Sequence, residues 1–353
     1  MIQASGVTCI LIKDAVILIM RAKLLEILAC PRCKGEVSCI IKEEDAAGEI
    51  TTGSLHCASC KRDYPIEKGI PRFVPNDDYA FSFGLQWNRF RKEQLDSFNG
   101  TRLSADRLYS ETGWNKEWLQ GKWILDAGCG AGRFLDVVSQ TDCDVVGIDL
   151  SNAVDAAQDS LTGRKNVHLV QASIYQLPFR PGVFDGCYCI GVIQHTPNPR
   201  KTLQCLPPTL KEGGRLAVTI YERKRWTPLY SKYLVRPITK RLDKQMLLRA
   251  LQLLMPILFP LTEILFRLPY LGSLFAFALP IDNAVHEPQL SSLPLRYRSA
   301  IMNTFDMLAP EYDMPQTERS TRKTLATADI VEIQRLPNPG LNLIGRKGSA
   351  ATA

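Results

Sequence analysis

Ile124-Leu-Asp-Ala-Gly-Cys-Gly-Ala-Gly-Arg-Phe134 is the stretch that decides the fold of this 353-residue chain. It reads as a strand running into three glycines at alternate positions and then into a helix. Gly128, Gly130 and Gly132 remove side chains where the backbone must bend sharply and come within van der Waals distance of a ligand. A bulky residue there would block the site.

Two acidic residues complete the pattern. Asp126 stands two positions before the first glycine, and the next strand, Asp144-Val-Val-Gly-Ile-Asp149, ends in a carboxylate about 20 residues beyond the turn, where it can accept from both ribose hydroxyls of a nucleoside. Asp149 on its own suits a dinucleotide equally well. The spacing, however, is GxGxG, and a third strand (166–174) and a fourth (183–191) follow in order. Together these resemble class I S-adenosylmethionine methyltransferases. The resemblance implies an α/β fold, a Rossmann-like seven-stranded sheet with helices on both faces. It also implies that Asp126, Gly128, Cys129, Gly130, Gly132, Asp149, Leu150, Ser173, Ile174 and Gly191 hold the methyl donor. Ser173 stands where that family usually carries an Asp that accepts from the adenine amino group; a hydroxyl can still accept.

Cys30-Pro-Arg-Cys33 and Cys57-Ala-Ser-Cys60 form two CxxC knuckles, the spacing in which two tight turns present four thiolates to one tetrahedral zinc ion. A segment of about 50 residues is too small to fold on its apolar content alone, so the metal would supply folding energy. Four thiolates leave no open position, so the expected role is structural. His56 is a rival ligand and is read as a surface residue; Cys39 is read as a buried thiol. The flanking words Leu24-Leu-Glu-Ile-Leu-Ala-Cys-Pro31 and Tyr64-Pro-Ile-Glu-Lys-Gly-Ile-Pro-Arg-Phe73 resemble a small zinc-ribbon family that activates tRNA and translation-factor methyltransferases.

Composition bounds the remainder. The 45% apolar content supports a sizeable core, and eleven cysteines without a disulfide-like framework point to a reducing cytoplasm. Net charge is +7, with the excess concentrated in residues 200–249. The apolar run in residues 1–19 is broken by Lys13 and Asp14 and lacks a cleavage site; it makes a poor signal peptide, and Met20 is an alternative start. The expected organisation is an extension (1–19), a zinc ribbon (20–75), a linker with pocket-closing helices (76–122), the core (123–222), a basic and apolar helical insertion (223–300), a last helix and terminal hairpin (301–347) and a tail (348–353). The aromatic run Phe81-Ser-Phe-Gly-Leu-Gln-Trp-Asn-Arg-Phe90 either closes the pocket or staples the ribbon to the core.

The candidate base is His195, in Gly191-Val-Ile-Gln-His-Thr-Pro-Asn198 beyond the fourth strand; the alternative is that it only orders the loop. No Asn/Asp-Pro-Pro-aromatic motif is present, which argues against amide or adenine methylation and favours oxygen or carbon on a small or lipid-linked acceptor. Between Met246 and Pro280 runs a long apolar stretch. Arg249, Glu263 and Arg267 interrupt it, and its prolines predict two or three short helices instead of a bilayer span. Such helices would form a lid over the site, a dimer face, or a peripheral contact at the inner membrane face through residues 223–280. Nucleic acid is a less favoured partner, since few aromatics interleave the basic residues. The rival functions are methylation of RNA or a translation factor, a non-catalytic binding module, and an NAD-linked oxidoreductase.

Overall fold

The computed structural model describes residues 9–10, 21–44, 50–74, 84, 94–287, 289–290 and 292–349. Apart from Gly84, the Phe81–Phe90 run lies outside these residues, as does most of the extension.

The ribbon is a five-stranded sheet in the order β1 (Cys9–Ile10), β2 (Val37–Glu44), β3 (Ile50–Cys57), β4 (Arg62–Glu67) and β5 (Ile70–Pro71). Cys9 and Ile10, from the extension, pair in parallel with Cys39 and Ile40. They cover backbone groups that an edge strand would otherwise leave unpaired.

Seven further strands build the main sheet: β6 (Trp123–Ala127), β7 (Asp144–Asp149), β8 (Val167–Gln171), β9 (Phe184–Ile190), β10 (Leu210–Ile220), β11 (Ile330–Arg335) and β12 (Leu341–Lys347). The order is β11-β12-β10-β9-β6-β7-β8, parallel from β10 to β8, with β12 antiparallel to both its neighbours. All seven expected strands are present. Alternate residues of each central strand enter two different cores: Leu125, Val146 and Val218 one, Ile124, Val145 and Ala217 the other. Both faces are therefore covered, which explains the near-continuous apolar strand sequences. Chain order reverses between β6 and β9, so the crevice for a ligand opens at the carboxyl ends of β6, β7 and β9.

The ribbon docks on the β8 edge and shares the first of those cores, with Leu24, Leu28 and Tyr64 packing in it. Arg72 is buried, and its guanidinium donates to Gln171 Oε1 and Asp155 Oδ1, each at 2.8 Å. Ala29 N–H donates to Pro178 O, and Arg180 N–H to Ile27 O. Ribbon and core therefore present one continuous apolar interior, and loosening either exposes part of the other.

The insertion corrects the expectation of short helices. Lys244–Leu265 is one 22-residue helix that runs through Pro256 and Pro260; a second helix, Gly272–Ala278, follows. Leu247, Leu248, Leu251, Met255 and Phe259 of the long helix are buried against Leu293–Leu308. Five such side chains at about 1.5–3 kcal/mol each exceed the roughly 3 kcal/mol that each proline costs. Asn303–Leu308 completes the Leu293–Leu308 helix.

Candidate active site

Around the glycine turn the backbone does what the alternating glycines foretold. Gly128, Gly130 and Gly132 have φ of 93°, 53° and 88°. A Cβ on Gly128 would lie 2.5 Å from Val192 Cγ2. Asp149, at the end of β7, accepts from Gly130 N–H at 3.0 Å through Oδ2, and from Ser151 N–H and Oγ–H through Oδ1. Burial raises the Asp149 pKa, while the Ser151 and Gly130 hydrogen bonds pull it down. The carboxylate thus fixes the turn and stands beside the space that the turn leaves open.

That space is a cavity of about 260 Å³. Eight of the ten expected donor residues line it: Gly128, Cys129, Gly130, Asp149, Leu150, Ser173, Ile174 and Gly191. Asp126 and Gly132 stand outside its wall. Asp126 is buried behind the turn, where burial lifts its pKa well above the usual carboxylate range. Gly132 serves packing, since a Cβ there would come 2.8 Å from Leu161 Cδ1. Ser173 caps a short 3-10 turn by accepting from Tyr175 N–H, and it keeps a second lone pair on the same oxygen.

His195 lines the cavity and is buried. Its Nδ1 donates to Tyr312 O at 2.9 Å, which leaves the lone pair of the neutral ring on Nε2. Met314 N–H donates to Gln194 O, so the histidine loop is tied to the chain that follows the Leu293–Leu308 helix.

Several wall residues escaped the sequence reading. Arg107 and Arg133 come from the segment before β6 and from the helix after the turn; Tyr221 and Asp306 come from the end of β10 and from the Leu293–Leu308 helix. A Cβ on Gly191 would lie 3.6 Å from an Arg107 Nη, so this guanidinium closes over the fourth-strand glycine. Burial and the adjacent Arg107 lower the Arg133 pKa to about 9, and the side chain remains cationic at neutral pH. Arg133 directly follows the motif glycine, a signal that was readable. Asp306 lies far along the chain, and nothing local marks it.

These four residues also line a second cavity of about 1110 Å³, walled on its far side by Tyr230, Phe266 and Ala276 of the insertion. The insertion therefore does wall the space next to the donor cavity, as a lid would. Two buried polar atoms belonging to residues of this wall, Glu111 Oε2 and Asn283 Nδ2, have no hydrogen-bond partner among the described residues.

In the ribbon, the thiols of Cys30, Cys33, Cys57 and Cys60 all lie within 4.8 Å of one another. A Zn–S bond of about 2.3 Å in a tetrahedron sets sulfurs about 3.8 Å apart, so the four fit zinc with little movement. Lys34 and Lys61, each directly after the second cysteine of its pair, take positive φ and give matching knuckle turns. His56 is outside the cluster, with Nδ1 at 2.7 Å from Asp63 Oδ1, and Cys39 is buried, both as expected.

Strand order, glycine turn and acidic acceptor together define a class I methyltransferase fold. Residues 125–218 match the methyltransferase domain family, and residues 21–69 match the Trm112p-like protein family. The chain carries both domains fused in one polypeptide. Among curated relatives, O-methyltransferase rstn1 of Aspergillus nomiae is 32% identical over 33% of this chain and 54% of its own length. Ubiquinone biosynthesis O-methyltransferase of Paraburkholderia phymatum is 30% identical over 35% of this chain and 56% of its own. The chain spans about half the length of these relatives. Among solved structures, the complex of the Haloferax volcanii Trm112 methyltransferase activator with a putative methyltransferase matches at TM-score 0.40 and 13% identity, covering 78% of this chain and 100% of the other. Synechocystis magnesium protoporphyrin IX methyltransferase matches at TM-score 0.40 and 16% identity, covering 77% and 97%.

Proposed function

We propose that this chain is a cytoplasmic methyltransferase that uses S-adenosylmethionine to methylate an oxygen or carbon of a small or lipid-linked metabolite. The carrying observation is the adjacency of the two cavities, which share Arg107, Arg133, Tyr221 and Asp306. Gly128 and Gly130 give the donor backbone-close access, Asp149 takes its ribose hydroxyls, and Ser173 and Ile174 meet its adenine. When bound, the donor supplies an electrophilic methyl group on a sulfonium. The residues of the larger cavity hold the acceptor in line and exclude water, and such positioning supplies much of the rate.

The acceptor oxygen is then a hydroxyl. His195, through Nε2, is the base that this reading assigns to the hydroxyl proton. The relatives named as O-methyltransferases support this reading.

The test incubates the zinc-loaded protein with methyl-labelled donor and fractionated bacterial extract. Label should enter a small or lipid-extractable product and should fall at least about tenfold with His195→Ala, while S-adenosylhomocysteine binding persists. Label entering bulk tRNA, with salt-sensitive binding, would transfer the assignment to RNA. No labelled product and no donor binding by folded protein would sink the enzyme reading.

A further inference from the structure

The helix Lys244–Leu265 is apolar on both sides. One stripe, Leu248, Leu251, Met255, Phe259 and Thr262, packs on the Leu293–Leu308 helix. Opposite it, Met246, Leu253, Ile257, Leu261 and Ile264 share an arc of about 80°, and Leu253, Ile257 and Ile264 are 78%, 70% and 66% exposed. The surface continues into Leu268, Tyr270, Leu271 and Leu274, and the Ser231–Thr239 helix adds Leu234 and Ile238. Among the described residues, every exposed large apolar side chain except Phe98, Tyr221, Leu293 and Val331 falls between Trp226 and Leu274. Apolar side chains gathered in one segment signal an interaction surface, whereas scattered ones need no explanation.

Charge identifies the occupant. Residues 223–249 hold nine Lys and Arg against Asp243 alone. Some are used internally: Lys232 pairs with Asp313, and Lys240 with Glu311. Arg223, Arg225, Arg241 and Arg249 have no acidic partner among the described residues. Arg241 and Arg249 sit at the N-terminal end of the exposed stripe. A second copy of the chain would bring the same positive excess and few carboxylates. Glu263 is already held by Arg267 and Arg296, and Asp243 caps the helix by accepting from Met246 N–H. An anionic bilayer offers both an apolar interior and negative headgroups.

We infer that the Trp226–Leu274 surface docks on an anionic phospholipid bilayer, with the Lys244–Leu265 helix lying in the membrane plane. By length and composition the helix would suffice to span a membrane. Its packed stripe faces a helix that carries Arg296, Arg298 and Asp306, which excludes lipid from that side. The docked segment leads into Phe266 and Ala276 on the wall of the larger cavity, so that cavity lies beside the membrane. That this placement serves a lipid-linked acceptor rests on the methyl-transfer reading; the docking itself does not.

The experiment is co-sedimentation of the full chain with phosphatidylcholine vesicles, with and without phosphatidylglycerol. It is run on the wild type and on the combined variant Leu253→Gln, Ile257→Gln, Ile264→Gln. The docking reading expects binding to the anionic vesicles that weakens as salt rises, and at least about a tenfold loss in the variant. Thermal melting and S-adenosylhomocysteine affinity should stay unchanged, because these side chains are exposed and remote from the donor cavity. A variant that binds vesicles like the wild type overturns the proposal. So does a wild-type dimer in sedimentation that the same three substitutions dissociate.

Discussion

Replacing Asp149 by Ala probes the donor site with a magnitude that follows from its hydrogen bonds. The carboxylate already accepts from Gly130 and Ser151 through both oxygens, and it lines the cavity beside the turn. Two ribose hydroxyls donating to a charged acceptor are worth about 1.5–3 kcal/mol each. Together that is about 3–6 kcal/mol, and at 1.4 kcal/mol per decade their loss weakens binding about 10²–10⁴-fold. Removing a partly desolvated charge returns some of this, so the expected value for Asp149→Ala lies near the lower bound. Asp149→Asn keeps the shape and one acceptor oxygen and should fall between the two.

Calorimetric titration with S-adenosylhomocysteine measures the effect, with thermal melts to show that each variant is folded. Acidification supplies a second readout. Burial raises the Asp149 pKa, so the wild-type affinity should begin to fall at a higher pH than an ordinary aspartate would give, and this shoulder should vanish in the Asn variant. Asp149→Ala binding within about threefold of wild type, about half a decade, would refute the assignment of this carboxylate to the donor.

Four further outcomes are expected. Gly132→Ala should cost about 1–3 kcal/mol of stability, from its φ of 88° and the 2.8 Å approach to Leu161, yet leave donor affinity nearly unchanged. Gly128→Ala, which faces Val192 on the cavity wall, should lose both stability and affinity; melts and titration separate the two. Chelation or Cys57→Ser should remove one zinc per chain, read by elemental analysis, and lower the melting temperature of the whole protein because ribbon and sheet share a core; full stability without zinc would contradict this. Asp126 has a raised folded pKa, so the native state holds its proton more tightly than the unfolded chain. Wild-type stability should therefore decline as pH rises through and above the ordinary carboxyl range. Asp126→Asn removes that decline, and its advantage in urea unfolding should be absent near about pH 4 and grow toward pH 8.

Much of the molecule was legible because its signals are local. A strand, a glycine turn and a carboxylate lie within one βαβ unit, and four cysteines announce themselves by spacing alone. Asp126 and Gly132 belong to the same motif yet fall outside the wall, because sequence proximity does not separate a residue that touches a ligand from one that supports the turn. Asp126 lies on a strand buried on both faces, and Gly132 packs beneath the Ala153–Ser160 helix at Leu161. Arg107 and Asp306 were illegible for the opposite reason. They reach the cavity only through tertiary packing, one from a helix before the motif and the other from the Leu293–Leu308 helix far along the chain.

The proline-bearing helix shows how far local rules extend. Pro256 and Pro260 lack the N–H groups that would bond Gln252 O and Pro256 O, so two carbonyls lose their helical partners. Both prolines sit on the exposed side of the helix, away from the stripe packed on Leu293–Leu308. The helix continues through both prolines because the side chains it buries outweigh the two lost hydrogen bonds. A bilayer-spanning helix would carry those groups into hydrocarbon with neighbours on one side only. A helix lying in the membrane plane stays at the headgroup boundary, where water still reaches such carbonyls. The same two prolines that predicted a break in the sequence thus favour, in the folded chain, a surface helix over a span.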